Sequence, residues 1–394
     1  MATRTTVLPK SQSNYDSKGL STGQALGDIF ADLEVQYIVN RKKVFENAKK
    51  SPNGFMMGSI QQLQAYNQAN AEAASKALKE AIAIAKNELE KSYAAGVSVV
   101  DKTVDYYKKQ GYEPPQVPNE TEAPSESLIR GLAVMLSTFA GLASYSRTSA
   151  DRQLLSVVSM VNPASENIDK SIDDAQMLYL QRGIAGAQIT GGIERGMSVQ
   201  AEFIMRDQSH QVLLGASGER QQEYGLPPLV RVSAHPSSCE KCVPWQDQVL
   251  VDDVFQGGFP DGKHELLSTA FDAGLGHINC RHTWVGYIEG LDRPDIFTNS
   301  KLSDKETAAR YAVEKRQRDN ERTIREWKRR AEGSMDDNNR LLAEQKVREW
   351  QARQRDLANI ARRNNIPFYR QYSREQIGGE TRPTLNRVLL RQAS

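Results

Sequence analysis

Cysteine is scarce in this sequence, with three residues in 394. A small odd number in a chain expected to be made in a cytoplasm argues against a disulfide framework, leaving these thiols as buried apolar groups or metal ligands. Aromatic residues are also few, at 7%, which suits a helical assembly protein better than an enzyme built around an aromatic-lined pocket. Net charge is close to absent, +2 at pH 7. The N-terminus lacks the basic start and apolar run of a secretion signal, and no transit or lipidation motif is apparent. Nor is there a clean run of about twenty strongly apolar residues, the length that spans a bilayer. The nearest stretch, Leu128 to Tyr145, is interrupted by Arg130 and diluted by Gly131, Ser137, Thr138, Gly141 and Ser144. It reads as a buried core helix, although its small residues also suit close packing between helices in a membrane. Gly191 and Gly192 follow no convincing strand, which argues against a phosphate-binding loop.

What the chain has is 39% hydrophobic residues, enough for ordinary cores in two or three domains. Its charge is uneven: residues 301–394 hold 23 Lys/Arg against 14 Asp/Glu, and the preceding 300 hold 28 against 35. The patterning predicts a mainly α fold. Residues 1–20, rich in Ser, Thr and Asn, read as a flexible arm. Residues 21–110 read as a helical N-terminal region, with Leu26, Phe30, Leu33 and Tyr37 at helical spacing, a break at Ser51-Pro52-Asn53-Gly54, and an amphipathic stretch from about Gly58 to Lys109. Residues 111–127, with Pro114, Pro115, Pro118 and Pro124, have linker composition. Residues 128–226 read as an elongated helical middle domain. Ser125 or Ser127 caps its first helix, Asn162-Pro163 ends that helical stretch, and Gly183, Gly186, Gly191-Gly192, Gly215 and Gly218 separate the later ones. Residues 227–294 form a small α+β module with strands near 229–234 and 248–251. Residues 295–364 read as a basic helical hairpin broken at Gly333-Ser334 and Asp336 to Asn339, and residues 365–394 as a C-terminal tail.

The module holds all three cysteines and four of the five histidines: His235, Cys239, Cys242, His264, His277, Cys280 and His282. Cys239 and Cys242 are at the turn spacing that lets two sulfurs reach one tetrahedral ion, and the segment His277 to His282 returns a sulfur and a nitrogen. The expected ligands of a structural zinc are Cys239, Cys242, Cys280 and His282, with His277 and His235 as alternates. Reduced, buried thiols with hydrogen-bonded histidines are the competing reading. Four protein ligands leave no open position for catalysis, and the His-x-Glu and Pro-Cys-x-x-Cys pattern of a zinc deaminase is missing. No catalytic residue is therefore expected, and a metal-dependent nuclease or peptidase is the rival. Trp245 and Trp284 read as aromatics packed around the site. In the hairpin, Arg316, Arg318, Arg322, Arg325, Lys328, Arg329 and Arg330 are candidates for sequence-independent contact with DNA phosphates. Their alternation with Glu314, Asp319, Glu321 and Glu326 fits a salt-bridged, solvated helix equally.

Two blocks of residues also resemble a known family. One comprises Val232-Ser233-Ala234-His235, Cys239-Glu240-Lys241-Cys242, Pro244-Trp245-Gln246 and Gly276-His277-Ile278-Asn279-Cys280-Arg281-His282. The other comprises Arg316-Gln317-Arg318, Glu321-Arg322, Ile324-Arg325, Lys328-Arg329, Val347 to Gln351 and Phe368 to Tyr372. In this order, over about Leu229 to Gly378, they are similar to minor capsid proteins of tailed phages of Gram-positive hosts, relatives of the head-morphogenesis proteins typified by the F protein of phage Mu. The resemblance implies a virion component of low copy number, assembled in the host cytoplasm and placed inside the head near the portal. It implies the portal protein and other head proteins as partners, and a role in head assembly or genome delivery, without a known catalytic activity. It does not itself assign zinc, because relatives often carry other residues at Cys239 and Cys242. Contact with phage DNA through the hairpin is a further expectation. A membrane-active ejection protein, inserting Leu128 to Tyr145 during infection, is a second alternative.

Overall fold

The structure is a computed structural model that describes residues 11–50, 60–118, 125–188, 194–234, 238–277, 280, 282–291 and 303–377. Among these are eight α-helices and six short strands, a mainly α fold with one small α+β module. The helices are α1 (Ser11–Lys49), α2 (Ile60–Lys108), α3 (Glu126–Met160), α4 (Ile168–Arg182), α5 (Met197–Glu223), α6 (Leu267–Asp272), α7 (Asp304–Gly333) and α8 (Asp337–Arg363). The chain divides into two compact units, each built from three separated stretches. One takes 1–22, 85–136 and 203–312; the other takes 23–84, 137–202 and 313–394. Each unit therefore draws on separated stretches of sequence, because α1, α2, α3, α5 and α7 each supply residues to both.

The unit containing α4 packs Val44 and Phe45 of α1, Tyr66 of α2, Leu154 and Val157 of α3 and Ile172 of α4 into one cluster. The rings of Phe30 and Phe139 stack with centroids 5.8 Å apart. α4 joins the α7–α8 hairpin to the rest of this unit at both of its ends. At its C-terminus the last carbonyls lack helical partners. Arg329 supplies them, donating from Nε to Leu180 O at 3.1 Å and from Nη2 to Gln181 O at 2.9 Å, while its charge lies 3.7 Å from Glu34. Nearer its N-terminus, the buried Asp173 carboxylate accepts from Met335 N at 2.7 Å, Asp336 N at 3.1 Å and Asn339 Nδ2 at 3.1 Å, the residues of the hairpin turn. Asp336 then caps α8 by accepting from Asn339 N. The hairpin expected from the break at Gly333-Ser334 and 336–339 is thus present, with its turn held by a carboxylate from another helix.

The other unit contains the small sheet. β3 (Leu229–Val232) is central, antiparallel to β4 (Val249–Val251) and to β6 (Trp284–Gly286), and β5 (Glu265–Leu266) pairs parallel to β4. Val230, Val232, Leu250 and Trp284 from the sheet, Leu267 and Ala270 from α6 and Leu213 and Leu214 from α5 form one buried cluster. Helices approach closely beside it. A Cβ on Gly96 would lie 2.3 Å from Leu213 O, and one on Gly131 would lie 2.3 Å from Val212 Cγ2.

Several sequence expectations need correction. α1 starts at Ser11, inside the stretch expected to be a flexible arm; residues 1–10 lie outside the described residues. Between α4 and α5 the chain forms an antiparallel two-stranded ribbon, β1 (Ala185–Gln188) and β2 (Glu194–Gly196), where helices were expected. Gly215 and Gly218 do not end helices. They lie within α5, where a Cβ would meet Ser127 Cβ at 2.5 Å and Phe255 Cβ at 2.6 Å. The first part of the Pro-rich segment is packed rather than free, with Gln116 N donating to Tyr224 O. Ser125 does cap α3, its Oγ accepting from Leu128 N at 3.2 Å. Leu128 to Tyr145 is only partly the buried helix expected. Gly131, Met135, Phe139 and Leu142 are buried along one stripe, while Ile129, Val134 and Leu136 are exposed. Among the described residues α3 is the one helix long and apolar enough to cross a membrane, by length and composition alone.

Two substitutions of glycine by alanine in helix interiors should act in opposite directions. Gly96→Ala forces a Cβ against a carbonyl oxygen and should cost at least about 2 kcal/mol of unfolding free energy. Gly141→Ala meets nothing within 4 Å and should gain about 0.5–1 kcal/mol from helix propensity. Urea titration of both variants checks the pair. Asp173→Ala leaves two half-buried backbone N–H groups without their acceptor and should cost about 1–3 kcal/mol, with faster hydrogen exchange at Met335 and Asp336 as its local signature.

Candidate metal centre

The register of the sheet explains why residues about forty apart in sequence meet. β3 and β6 are antiparallel, with Val232 opposite Trp284. The chain leaving β3 and the chain entering β6 therefore share one end of the sheet, and Ser233 N donates to Thr283 O at 2.8 Å to extend the pairing. Beyond β3 the chain turns at Cys239 to Cys242, with Cys242 N and Val243 N both donating to Cys239 O, and enters a 3-10 turn at Val243–Trp245 with Pro244 in its first positions. Before β6, Cys280 N donates to His277 O at 2.7 Å and brings Cys280 and His282 back to the same end.

The groups form an arc. Cys239 Sγ lies 3.1 Å from His277 Nε2 and 3.6 Å from Cys242 Sγ; Cys242 Sγ lies 3.8 Å from Cys280 Sγ; Cys280 Sγ lies 3.3 Å from His282 Nδ1. Two sets of three ligand atoms, Cys239/Cys242/His277 and Cys242/Cys280/His282, are each compact enough to hold an ion and share Cys242. Cys242 and His282 are buried, Cys239 and Cys280 half-buried and His277 exposed. Burial raises the Cys239 thiol, but hydrogen bonds from the Cys242 backbone, the Cys242 thiol, His277 and the Lys241 backbone outweigh it and hold the group low. Cys280 is held low by its bond from Cys242, against the opposing effect of burial and with help from His282. The central Cys242 is raised by its bond to Cys280 and by burial.

The expected ligands Cys239, Cys242, Cys280 and His282, and the alternate His277, are therefore brought together. His235 and Arg281 lie outside the described residues. His264 is elsewhere: its Nδ1 lies 2.7 Å from Asp261 Oδ2, beside an open cleft of about 440 Å³ that Trp245 helps to line. Trp284 is buried against Phe255 and Phe271, and Trp245 packs at the edge of the same core. The sequence reading did not place His210. It projects from α5 with its ring edge-on to Trp284, 6.2 Å between centroids, and hydrogen bonds to the His282 backbone. Its Nε2 is sealed and has no hydrogen-bond partner among the described residues, and burial lowers its basicity. Nothing around His210 in the sequence marks it, since it is a lone histidine in a helical run.

The hairpin cations divide into two groups. Arg318 pairs with Glu314 and Arg322 with Asp319, both outward, and Arg316 lines the groove between α7 and α8. Arg325 instead donates to Arg374 O, Arg329 is buried on α4, Arg330 reaches Gln181 Oε1 while stacking on Trp327, and Lys328 reaches Gln376 Oε1. Six of the seven expected phosphate contacts thus have partners within the protein, two through outward ion pairs along α7 and four through contacts with other segments. The mixed pattern of Arg and Glu had fitted either reading.

Residues 20–359 match the family model described as Phage minor capsid protein 2. A "Structural protein" of Lactococcus phage LL-H is 29% identical over 161 residues, 37% of this chain and 39% of that protein, so the match spans well under half of either. No solved structure matches.

Lys328 has a pKa pushed down to about 8 by burial, with Arg325 and Arg370 adding to the effect and Glu375 opposing it. In the unfolded chain a lysine keeps its proton to about pH 10.4. Between these values the unfolded state holds more protons, so stability rises with pH across that window. Lys328→Met should therefore be more stable than the parent at neutral pH, with the difference shrinking from pH 8 upward. Thermal melts in a pH series check this, and a difference that grows with pH contradicts it.

Proposed function

This chain belongs to the phage minor capsid protein 2 family, and on that premise we propose that it is a portal-associated minor head protein, held inside the virion and acting in head assembly and genome delivery without catalysing a reaction. A structural part in the phage particle follows from the family itself. The portal position, the low copy number and the delivery role are the finer reading. The observation that carries the structural reading is the extent of the match, residues 20–359, which takes in most of both compact units, the Cys/His module and nearly all of the hairpin. A family module grafted onto an unrelated enzyme would match over one segment only.

The chemistry of the cluster agrees with a structural part. Three sulfurs and a nitrogen fill a tetrahedral ion, and a catalytic ion needs a free position for water or substrate. Of the seven candidates in the hairpin, the outward ones, Arg316, Arg318 and Arg322, remain places for phosphate contact. Two of these three already have carboxylate partners, so any such contact is secondary to protein partners.

Purified virions test the reading. Quantitative mass spectrometry should find the chain at far lower copy number than the major shell protein, and lysine-directed cross-linking should join it to the portal. Absence from the particle, stoichiometry equal to the shell protein, or cross-links confined to the tail would overturn it.

A further inference from the structure

We propose that Cys239, Cys242, Cys280 and His282 bind one zinc ion, with His282 bound through Nδ1, and that His277 stays outside the coordination shell and donates to the Cys239 sulfur. The inference is independent of where the protein sits in the virion.

Sulfur spacing is the first observation. Zinc–sulfur bonds of about 2.3 Å in tetrahedral geometry put two sulfurs about 3.8 Å apart. The separations Cys239 to Cys242 and Cys242 to Cys280 are 3.6 and 3.8 Å; Cys239 and the Cys280/His282 pair fall in separate compact sets that share Cys242, so one ion held by all four draws Cys239 in toward Cys280. The three thiols are free, and these distances are far longer than a disulfide bond of about 2.05 Å. Backbone donors are the second observation. His282 N donates to Cys280 Sγ at 3.4 Å, and Cys242 N and Val243 N donate to Cys239 O, which fixes the turn that carries the first two sulfurs. Amide donors at sulfur favour thiolate, the form that binds a metal.

The choice of histidine rests on the other ring nitrogen. A ligating imidazole presents a lone pair to the metal and donates its second N–H to a polar neighbour, which fixes the tautomer. Ser238 Oγ donates to Gln246 Oε1 at 2.8 Å, and His282 Nε2 lies 3.2 Å from Ser238 Oγ and 3.4 Å from Gln246 Oε1. With its proton on Nε2, the buried His282 turns the Nδ1 lone pair toward Cys280 and the cluster. His277 is less buried than His282, and its Nε2 lies 3.1 Å from the outer sulfur, Cys239. Binding displaces the thiol protons to solvent, and zinc with three thiolates and a neutral imidazole carries a net charge of −1. The His277 N–H donated to Cys239 offsets part of that charge.

The full-length chain, purified without chelator and with zinc in the medium, should contain one zinc per chain by elemental analysis, and titration of its thiols with a mercurial should release that zinc in step. Cobalt substitution should give tetrahedral d–d bands and intense thiolate charge transfer. His277→Ala and Gln246→Ala should keep both the stoichiometry and the tetrahedral cobalt spectrum, with zinc affinity weakened on the order of 10–100-fold. His282→Ala should lose the parental cobalt spectrum. Wild-type measurements need no variant to fold: a chain with no zinc whose melting is unchanged by chelator overturns the site, as does iron in place of zinc. A His282→Ala chain that keeps the parental spectrum while His277→Ala loses it overturns the ligand assignment.

Discussion

A sheet of four strands, each two to four residues long, buries too little to hold itself together, and the architecture around the Cys/His cluster answers that shortage. One part of the answer is α5, which lays Leu213 and Leu214 beneath β3 and sets the edge of His210 against Trp284. The other part lies at the end of the sheet where, among the described residues, the pairing of β3 with β6 extends to Ser233 and Thr283 and no further. The cluster joins the loops leaving β3 and entering β6. The proposed zinc would act where the backbone ladder ends, converting a loop of thirty-seven intervening residues into a closed ring and reducing the freedom of the unfolded chain.

Glycine permits this close construction on the helical side. Gly96, Gly131, Gly215 and Gly218 each meet a neighbouring backbone or side chain at a distance that no Cβ tolerates. They cost helix propensity in isolation, and the packing they allow repays it. In the unit that holds α4, polar groups do the joining: Asp173 grips the hairpin turn and Arg329 closes the end of α4, so a charged hairpin is fixed through its own basic and backbone groups.

That construction accounts for what could be read in the sequence. Helical periodicity placed α2 and the two hairpin helices nearly to their ends, because a long amphipathic pattern needs no knowledge of its partner. Alternation located β3 and β4, and Cys/His clustering located the candidate centre. Gly215 and Gly218 were misread because a glycine in a helical run has the same local appearance whether it stops the helix or admits a neighbour. The ribbon between α4 and α5 is too short to carry a period. Residues interleaved between two units follow from long helices crossing a boundary, and composition has no mark for it. The choice between His277 and His282 depends on which ring nitrogen has a fixed partner, and spacing alone carries no such information.

The hairpin shows the same limit for charge. An excess of nine positive charges after residue 300 invites an electrostatic reading, yet Arg325 and Arg329 spend their donors on backbone carbonyls of the protein. A guanidinium turned inward to close a helix end is unavailable to a phosphate, whatever the net charge of its segment. Basic composition in such a hairpin is therefore first a means of joining helices whose termini and turns need donors. Of the seven candidates, those that face outward are Arg316, Arg318 and Arg322, the last two already tempered by Glu314 and Asp319.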